Sequence, residues 1–187
     1  KLSHDINRHR TQHVFISMEI LDQLLVSCHA HSLNLFVESF LKMVQKLLEC
    51  GYPYMQIRAT QSFVKFANVE EDAPSYHRRY DFFVSKFSSL CHSNYSDGYV
   101  RGNLRQAGLT GLQGVVRKTI SDDLQVNIWE SVHMDKIVPS LLYNMQEHYL
   151  ETHSDEESPT HLAEVVFRDL ICRASYGNIR SVLSPVL

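Results

Sequence analysis

Histidine, cysteine, serine and arginine are the side chains that could do chemistry in this 187-residue sequence, which carries eleven histidines and four cysteines. Cys28, His29 and His31 stand together, and Cys91 adjoins His92. A zinc ion would need about four such ligands in a tetrahedral arrangement, and no second pair stands at suitable spacing. Polar residues at helix ends account for both groups. Cys50 and Cys172 lie far from the other two cysteines, and C-x-x-C never occurs. That pattern fits reduced thiols in a reducing compartment, without a disulfide framework. Ser85, Ser88 and Ser89 have no base beside them in sequence. There is no G-x-S-x-G, no H-E-x-x-H and no dinucleotide fingerprint. A triad assembled from distant residues is the catalytic arrangement that sequence leaves open. The expectation is a chain that is not an enzyme and holds no cofactor or metal.

Arginine is more informative. Ser75-Tyr76-His77-Arg78-Arg79 puts three cationic side chains into the first turn of a helix pattern. The helix dipole makes cations unfavourable there, and a bound anion would reverse that. Glu70, Glu71 and Asp72 immediately precede the cluster and offer neutralisation as the competing reading. A second basic group is Lys1, Arg8, His9 and Arg10, which taken alone reads as a solvated helix face. Together these give a candidate surface for acidic lipid or another anion: Arg8, Arg10, His77, Arg78 and Arg79. Gly108, Gly111 and Gly114 are a third feature. Gly114 to Thr119 reads G-V-V-R-K-T, which does not match a phosphate-cradling loop. Glycine inside a helix is unfavourable by about 1 kcal/mol relative to alanine, so the trio points to close approach by a neighbouring helix.

The elements that must position these residues are helices. The first spans about Thr11 to Cys28 and is expected to bury Val14, Phe15, Met18, Leu21, Leu24 and Leu25. The second, Leu35 to Glu49, sets an apolar stripe against a wet face carrying Glu38 and Lys42 at i,i+4 spacing. Gly51 stops it, and Pro53 opens a third that runs to about Asn68. Glu70 to Pro74 is a break. A fourth helix covers Tyr76 to His92, Asn94 to Gly98 is a turn, and a fifth covers Val100 to Thr119. Asp122 to Trp129 suits a short helix. A sixth spans Asp135 to His148, with Pro139 near its first turn or at a kink. A seventh spans Thr160 to Ser175, closed by Gly177, and an eighth begins after it.

Ile57-Arg58 and Leu104-Arg105 begin equivalent helices 47 residues apart, and Leu162-Ala163 heads a third. That period falls at the long end of armadillo/HEAT repeats. The expected fold is therefore all-α: an armadillo/HEAT-like α-solenoid of stacked helix pairs, a single repeat segment over residues 1–187. Lys1 falls inside a helical pattern and Ser181 to Leu187 looks like a helix just begun, so both ends are expected to be cuts in a longer chain. The net charge of −3 comes from 18 basic and 21 acidic residues. Five of the acids (Glu147, Glu151, Asp155, Glu156, Glu157) lie in an acidic loop at about 147–159 that has no Lys or Arg. The remainder is near balance, and nothing in it calls for nucleic acid. The loop reads as a solvated linker, with Ser154 and Ser158 as candidate regulated serines. No apolar run approaches the roughly 20 residues of a bilayer span.

Several strings carry a resemblance: F-V-E-S-F-L (36–41), S-F-V-K-F-A-N (62–68), P-S-Y-H-R-R-Y-D-F-F-V-S-K-F (74–87), L-Q-G-V-V-R-K-T (112–119), M-D-K-I-V-P-S-L-L-Y-N-M-Q (134–146) and R-A-S-Y-G-N-I-R-S-V-L (173–183). In order, and over nearly the whole chain, they resemble the Efr-three family, also called the rolling blackout proteins. The resemblance implies a rod of armadillo/HEAT-like helices at the cytoplasmic face of the plasma membrane. It implies a peripheral anchor for the phosphatidylinositol 4-kinase III alpha complex, working with a tetratricopeptide-repeat adaptor and hyccin to support phosphatidylinositol 4-phosphate synthesis. Acidic phospholipids of the inner leaflet are the other implied partner. The family's palmitoylated cysteine cluster is absent from this chain, and none of its four cysteines inherits that role. Adaptor binding is associated with the family's C-terminal part. Two alternatives remain: a generic protein-binding helical scaffold, and the diacylglycerol-type lipase activity once proposed for rolling blackout proteins.

Overall fold

In the computed structural model, the described residues are 5, 8, 10–27, 33–69, 80–121, 128–146 and 158–186. Outside them lie Cys28, His29 and His31, the Glu70–Pro74 break, His77, Arg78 and Arg79, residues 122–127 of the expected short helix, and the acidic loop up to Glu157. The elements are α1 (Thr11–Ser27), α2 (Leu33–Glu49), α3 (Pro53–Ala67), α4 (Tyr80–Cys91), α5 (Gly98–Ser121), α6 (Ser131–Gln146), α7 (Pro159–Arg173) and α8 (Ile179–Leu183), followed by a 3-10 turn at Ser184–Val186. No strand occurs among the described residues, and none of their helices is long and apolar enough to cross a membrane. The chain divides into two compact units, 1–77 and 78–187.

The first unit is built on the α2–α3 hairpin. Val37, Phe40, Leu41, Val44, Leu47 and Leu48 recur at helical spacing along α2 and are buried against Met55, Ala59, Phe63 and Phe66 of α3. The Phe40 and Phe66 rings lie 6.5 Å apart, and Phe63 and Phe66 lie 5.9 Å apart. Each fully buried side chain of this size stabilises by roughly 1.5–3 kcal/mol. Gly51 takes φ +75, where a β-carbon is unfavourable, so it stops α2; Pro53 then starts α3. The Gln56 amide donates to the Leu48 carbonyl at 2.9 Å, satisfying an acceptor that the helix end leaves open.

Helix α1 packs mainly on α3. It buries Val14, Met18 and Leu25 as its periodicity requires. Leu24, expected in the core, is 46% exposed, and Phe15 and Leu21 are only half-buried. Asp22 takes the place in the core that the apolar pattern would not assign to a carboxylate.

The second unit holds two stacked pairs. Helices α4 and α5 run antiparallel: Cys91 faces Gly108, and Phe87 faces Gly111. A β-carbon on Gly108 would meet the Cys91 backbone nitrogen at 2.6 Å and the Phe87 carbonyl at 2.7 Å. On Gly111 it would meet the Phe87 ring at 2.4 Å. Two of the three glycines are therefore notches that let the helices close. Like then stacks on like: α6 lies along α4, and α7 lies along α5. α6 begins at Ser131, earlier than the expected Asp135, which puts Pro139 in the helix interior rather than the first turn. Proline cannot donate to the Asp135 carbonyl. One residue on, the Ser140 hydroxyl donates to the Lys136 carbonyl at 2.7 Å. Ser158 caps α7, its side chain accepting from His161 N–H at 3.1 Å, with Pro159 at the first helical position.

Candidate functional site

The basic residues singled out by sequence are not assembled into one site among the described residues. Arg8 and Arg10 are both exposed. The Arg10 guanidinium stands 3.6 Å from the buried carboxylate of Asp5, so its charge is partly met within the chain. His77, Arg78 and Arg79 lie outside the described residues. No group of three His, Cys, Asp or Glu side chains among the described residues is placed to hold a metal ion.

What the helices do assemble are two polar centres. In the first unit, Asp22 of α1 is 1% exposed and accepts from both Arg58 and Lys65 of α3, each at 2.9 Å. Arg58 also binds Glu19 at 2.8 Å. Glu19 titrates below its ordinary range, chiefly through the hydrogen bond from Gln23, then through the Lys65 and Arg58 charges. Removing one partner of such a buried pair leaves an uncompensated charge and is far more harmful than the net worth of the pair. This centre ties α1 to α3. Sequence held one signal for it: Asp22 sits i+4 from Met18 and i−3 from Leu25, on the stripe facing inward.

In the second unit, Arg105 of α5 is 1% exposed. Its guanidinium donates to the Ser93 carbonyl at 2.8 Å, the Asn94 side-chain oxygen at 3.3 Å and the Tyr143 hydroxyl at 3.1 Å, and lies 5.1 Å over the Tyr143 ring. It is a cation held at the C-terminal end of α4, where the helix dipole and open carbonyls favour one. Asn144 of α6 completes the cap, donating to the Cys91 carbonyl at 3.0 Å. Burial drives the Cys91 thiol well above its ordinary range, against a weaker opposing pull from Arg105. Such a thiol is inert rather than nucleophilic.

His92 and Ser140 meet here at 3.2 Å, an imidazole–hydroxyl contact that no sequence spacing announced. The Ser140 hydroxyl also donates to the Lys136 carbonyl at 2.7 Å. Partial burial, then the Arg105 charge, hold His92 below the ordinary imidazole value. Ser140 lies within α6, where neighbouring backbone N–H groups are engaged in the helix and form no oxyanion hole. The contact joins α6 to the end of α4. On the outer side, Asp169 of α7 accepts from Arg117 of α5 at 2.9 Å and from Arg173 at 2.8 Å. Burial raises its carboxyl, but the two arginines outweigh that and hold it below the usual range.

Comparison with known proteins places this architecture. The family described as EFR3, armadillo repeat, matches residues 1–187. Protein EFR3 homolog B of Danio rerio is 58% identical over 197 residues, covering 100% of this chain and 24% of that protein. The homolog B of Homo sapiens is 56% identical over 198 residues with the same coverage, as is EFR3 homolog cmp44E of Drosophila melanogaster over 204 residues. The chain thus spans about a quarter of the length of these curated relatives. No solved structure shows a significant match. The stacked pairs α4–α5 and α6–α7 and the hairpin α2–α3 are armadillo-type repeats, an α-solenoid architecture that serves as scaffold. The chain belongs to the EFR3 armadillo-repeat family.

Proposed function

We propose that this chain is part of a peripheral plasma-membrane scaffold that recruits the phosphatidylinositol 4-kinase III alpha complex and so supports phosphatidylinositol 4-phosphate synthesis there, with no catalysis of its own. The observation that carries the reading is the family match across all 187 residues, at 56–58% identity to animal relatives. The internal chemistry agrees with it. Asp22 with Arg58 and Lys65 in the first unit, and Arg105 with Tyr143 in the second, hold helices to one another. Contact with the kinase runs through a tetratricopeptide-repeat adaptor and hyccin, mostly by parts of the protein beyond these 187 residues. Arg8, Arg10, His77, Arg78 and Arg79 are the residues proposed to face acidic lipid.

The test is depletion of the full-length protein from cells, followed by re-expression. Kinase at the plasma membrane and the signal of a phosphatidylinositol 4-phosphate reporter should both fall and then return. Kinase that stays at the membrane throughout depletion would overturn the reading. A serine-hydrolase probe that labels the protein, with labelling lost on changing one serine, would favour the lipase alternative.

A further inference from the structure

The two helix contacts of the first unit rest on different chemistry. Between α2 and α3 the seam is apolar: α2 alone brings six buried apolar side chains between Val37 and Leu48. Helix α1 buries four side chains, Val14, Met18, Asp22 and Leu25, at i, i+4, i+8 and i+11 along one line. One of the four is a carboxylate, and it stands inside the seam rather than at its rim. The facing stripe of α3 is polar too, with Arg58, Ser62 and Lys65 at i, i+4 and i+7.

This polar centre is incompletely matched. Asp22 Oδ2 accepts from both Arg58 and Lys65 at 2.9 Å, whereas Oδ1, equally buried, has no hydrogen-bond partner in the protein. The Ser62 hydroxyl is fully buried and has none either. Each such group has left water without replacing its hydrogen bonds, which weakens the contact that buries it. The ion pairs compensate only in part, because the attraction of buried charges is offset by the cost of desolvating them. A seam centred on such a cluster holds less firmly than the apolar seam beside it.

We infer that α1 is a strap that opens from α3 on its own while α2 and α3 stay packed, with Asp22 as its latch. In the closed state Asp22 and Glu19 neutralise Arg58 and Lys65, so α1 masks a cationic stripe of α3. Opening removes both carboxylates together and turns those two cations to water.

The experiment is hydrogen exchange of purified full-length protein, resolved by peptide mass spectrometry. Relative to their intrinsic rates, amides of residues 14–25 should exchange at least about ten-fold faster than those of 40–48 and 59–66. Asp22→Asn leaves two cations facing a neutral amide. It should speed exchange over 14–25 by a further factor of about ten or more and leave the other two segments within about two-fold. Replacing the cluster by apolar side chains, Asp22→Leu with Arg58→Met and Lys65→Met, should slow 14–25 below the parent rate, towards that of α2. Equal protection of the three segments in the parent would overturn the inference. So would equal acceleration of all three by Asp22→Asn, because α1 would then open only when the whole unit does. A triple variant whose α1 exchanges no more slowly than the parent's would remove Asp22 and its partners as the latch. Should Asp22→Asn misfold, Glu19→Gln removes the exposed carboxylate alone and should accelerate 14–25 selectively, by a smaller factor.

Discussion

The Phe87 ring packs against Gly111: a β-carbon at that glycine would sit 2.4 Å from the ring. Gly108, one turn earlier, faces backbone atoms of Cys91 and Phe87 at 2.6–2.7 Å. Backbone cannot step aside as a side chain can. Gly108→Ala and Gly111→Ala should each destabilise by about 1–3 kcal/mol through overpacking, with Gly108→Ala the worse. Gly102 lies in the same helix with nothing within 4 Å of its virtual β-carbon, so Gly102→Ala should stabilise by up to about 1 kcal/mol. Urea denaturation of the three variants checks the order; equal effects at 102 and 108 would contradict the packing account.

Arg105 is the second prediction. Tyr143→Phe removes one hydrogen bond to the buried guanidinium, and a bond to a charged group contributes about 1.5–3 kcal/mol. Arg105→Met strands the Ser93 carbonyl and Asn94 as well and should be worse than Tyr143→Phe. Arg105→Lys should not rescue it, because an ammonium lacks the planar fork that reaches three acceptors. A lysine variant as stable as the parent would show that charge alone suffices there.

How much of this was legible in the sequence is clearest from residue pairs. Gly51 with Pro53 marked the α2–α3 turn because backbone conformation is a local property. The 47-residue spacing of Arg58 and Arg105 located the second helices of two repeats correctly. It did not foretell that one arginine would meet the buried carboxylate of Asp22 and the other a set of neutral oxygens, since partners come from other helices. The His92–Ser140 and Asp22–Lys65 contacts were hidden for the same reason. Leu24 was read as core by periodicity, which counts apolar positions and does not say which neighbour covers them.

His92 gives a pH prediction. Its folded value is lowered from 6.5, so below that pH the unfolded chain takes the proton more readily than the folded one. The stability is therefore fully present above about pH 6.5 and is lost progressively as pH falls toward the folded value. Thermal melts from pH 8 to 5 should show a decline that is shallower in His92→Gln than in the parent. Asp169 acts lower: its carboxyl is held below 3.8 when folded, and its contribution is lost as pH falls from there. Parallel profiles for parent and His92→Gln would contradict the assignment.

The proposed lipid-facing residues predict salt-sensitive binding. Full-length protein should sediment with vesicles containing phosphatidylserine and do so less as salt rises, because exposed charges are screened. Arg78→Glu with Arg79→Glu should weaken binding, whereas Arg10→Glu should do less, since Arg10 already shares its charge with Asp5. Sedimentation unchanged by the double substitution would remove those two residues from the lipid face.

The most direct test of the scaffold reading is reconstitution. Purified full-length protein, tetratricopeptide-repeat adaptor, hyccin and kinase are mixed with vesicles of inner-leaflet composition and floated on a density gradient. The account predicts that kinase floats with the vesicles only when the full-length protein is present, and that product forms on those vesicles alone. Kinase that floats equally well without the protein would contradict it.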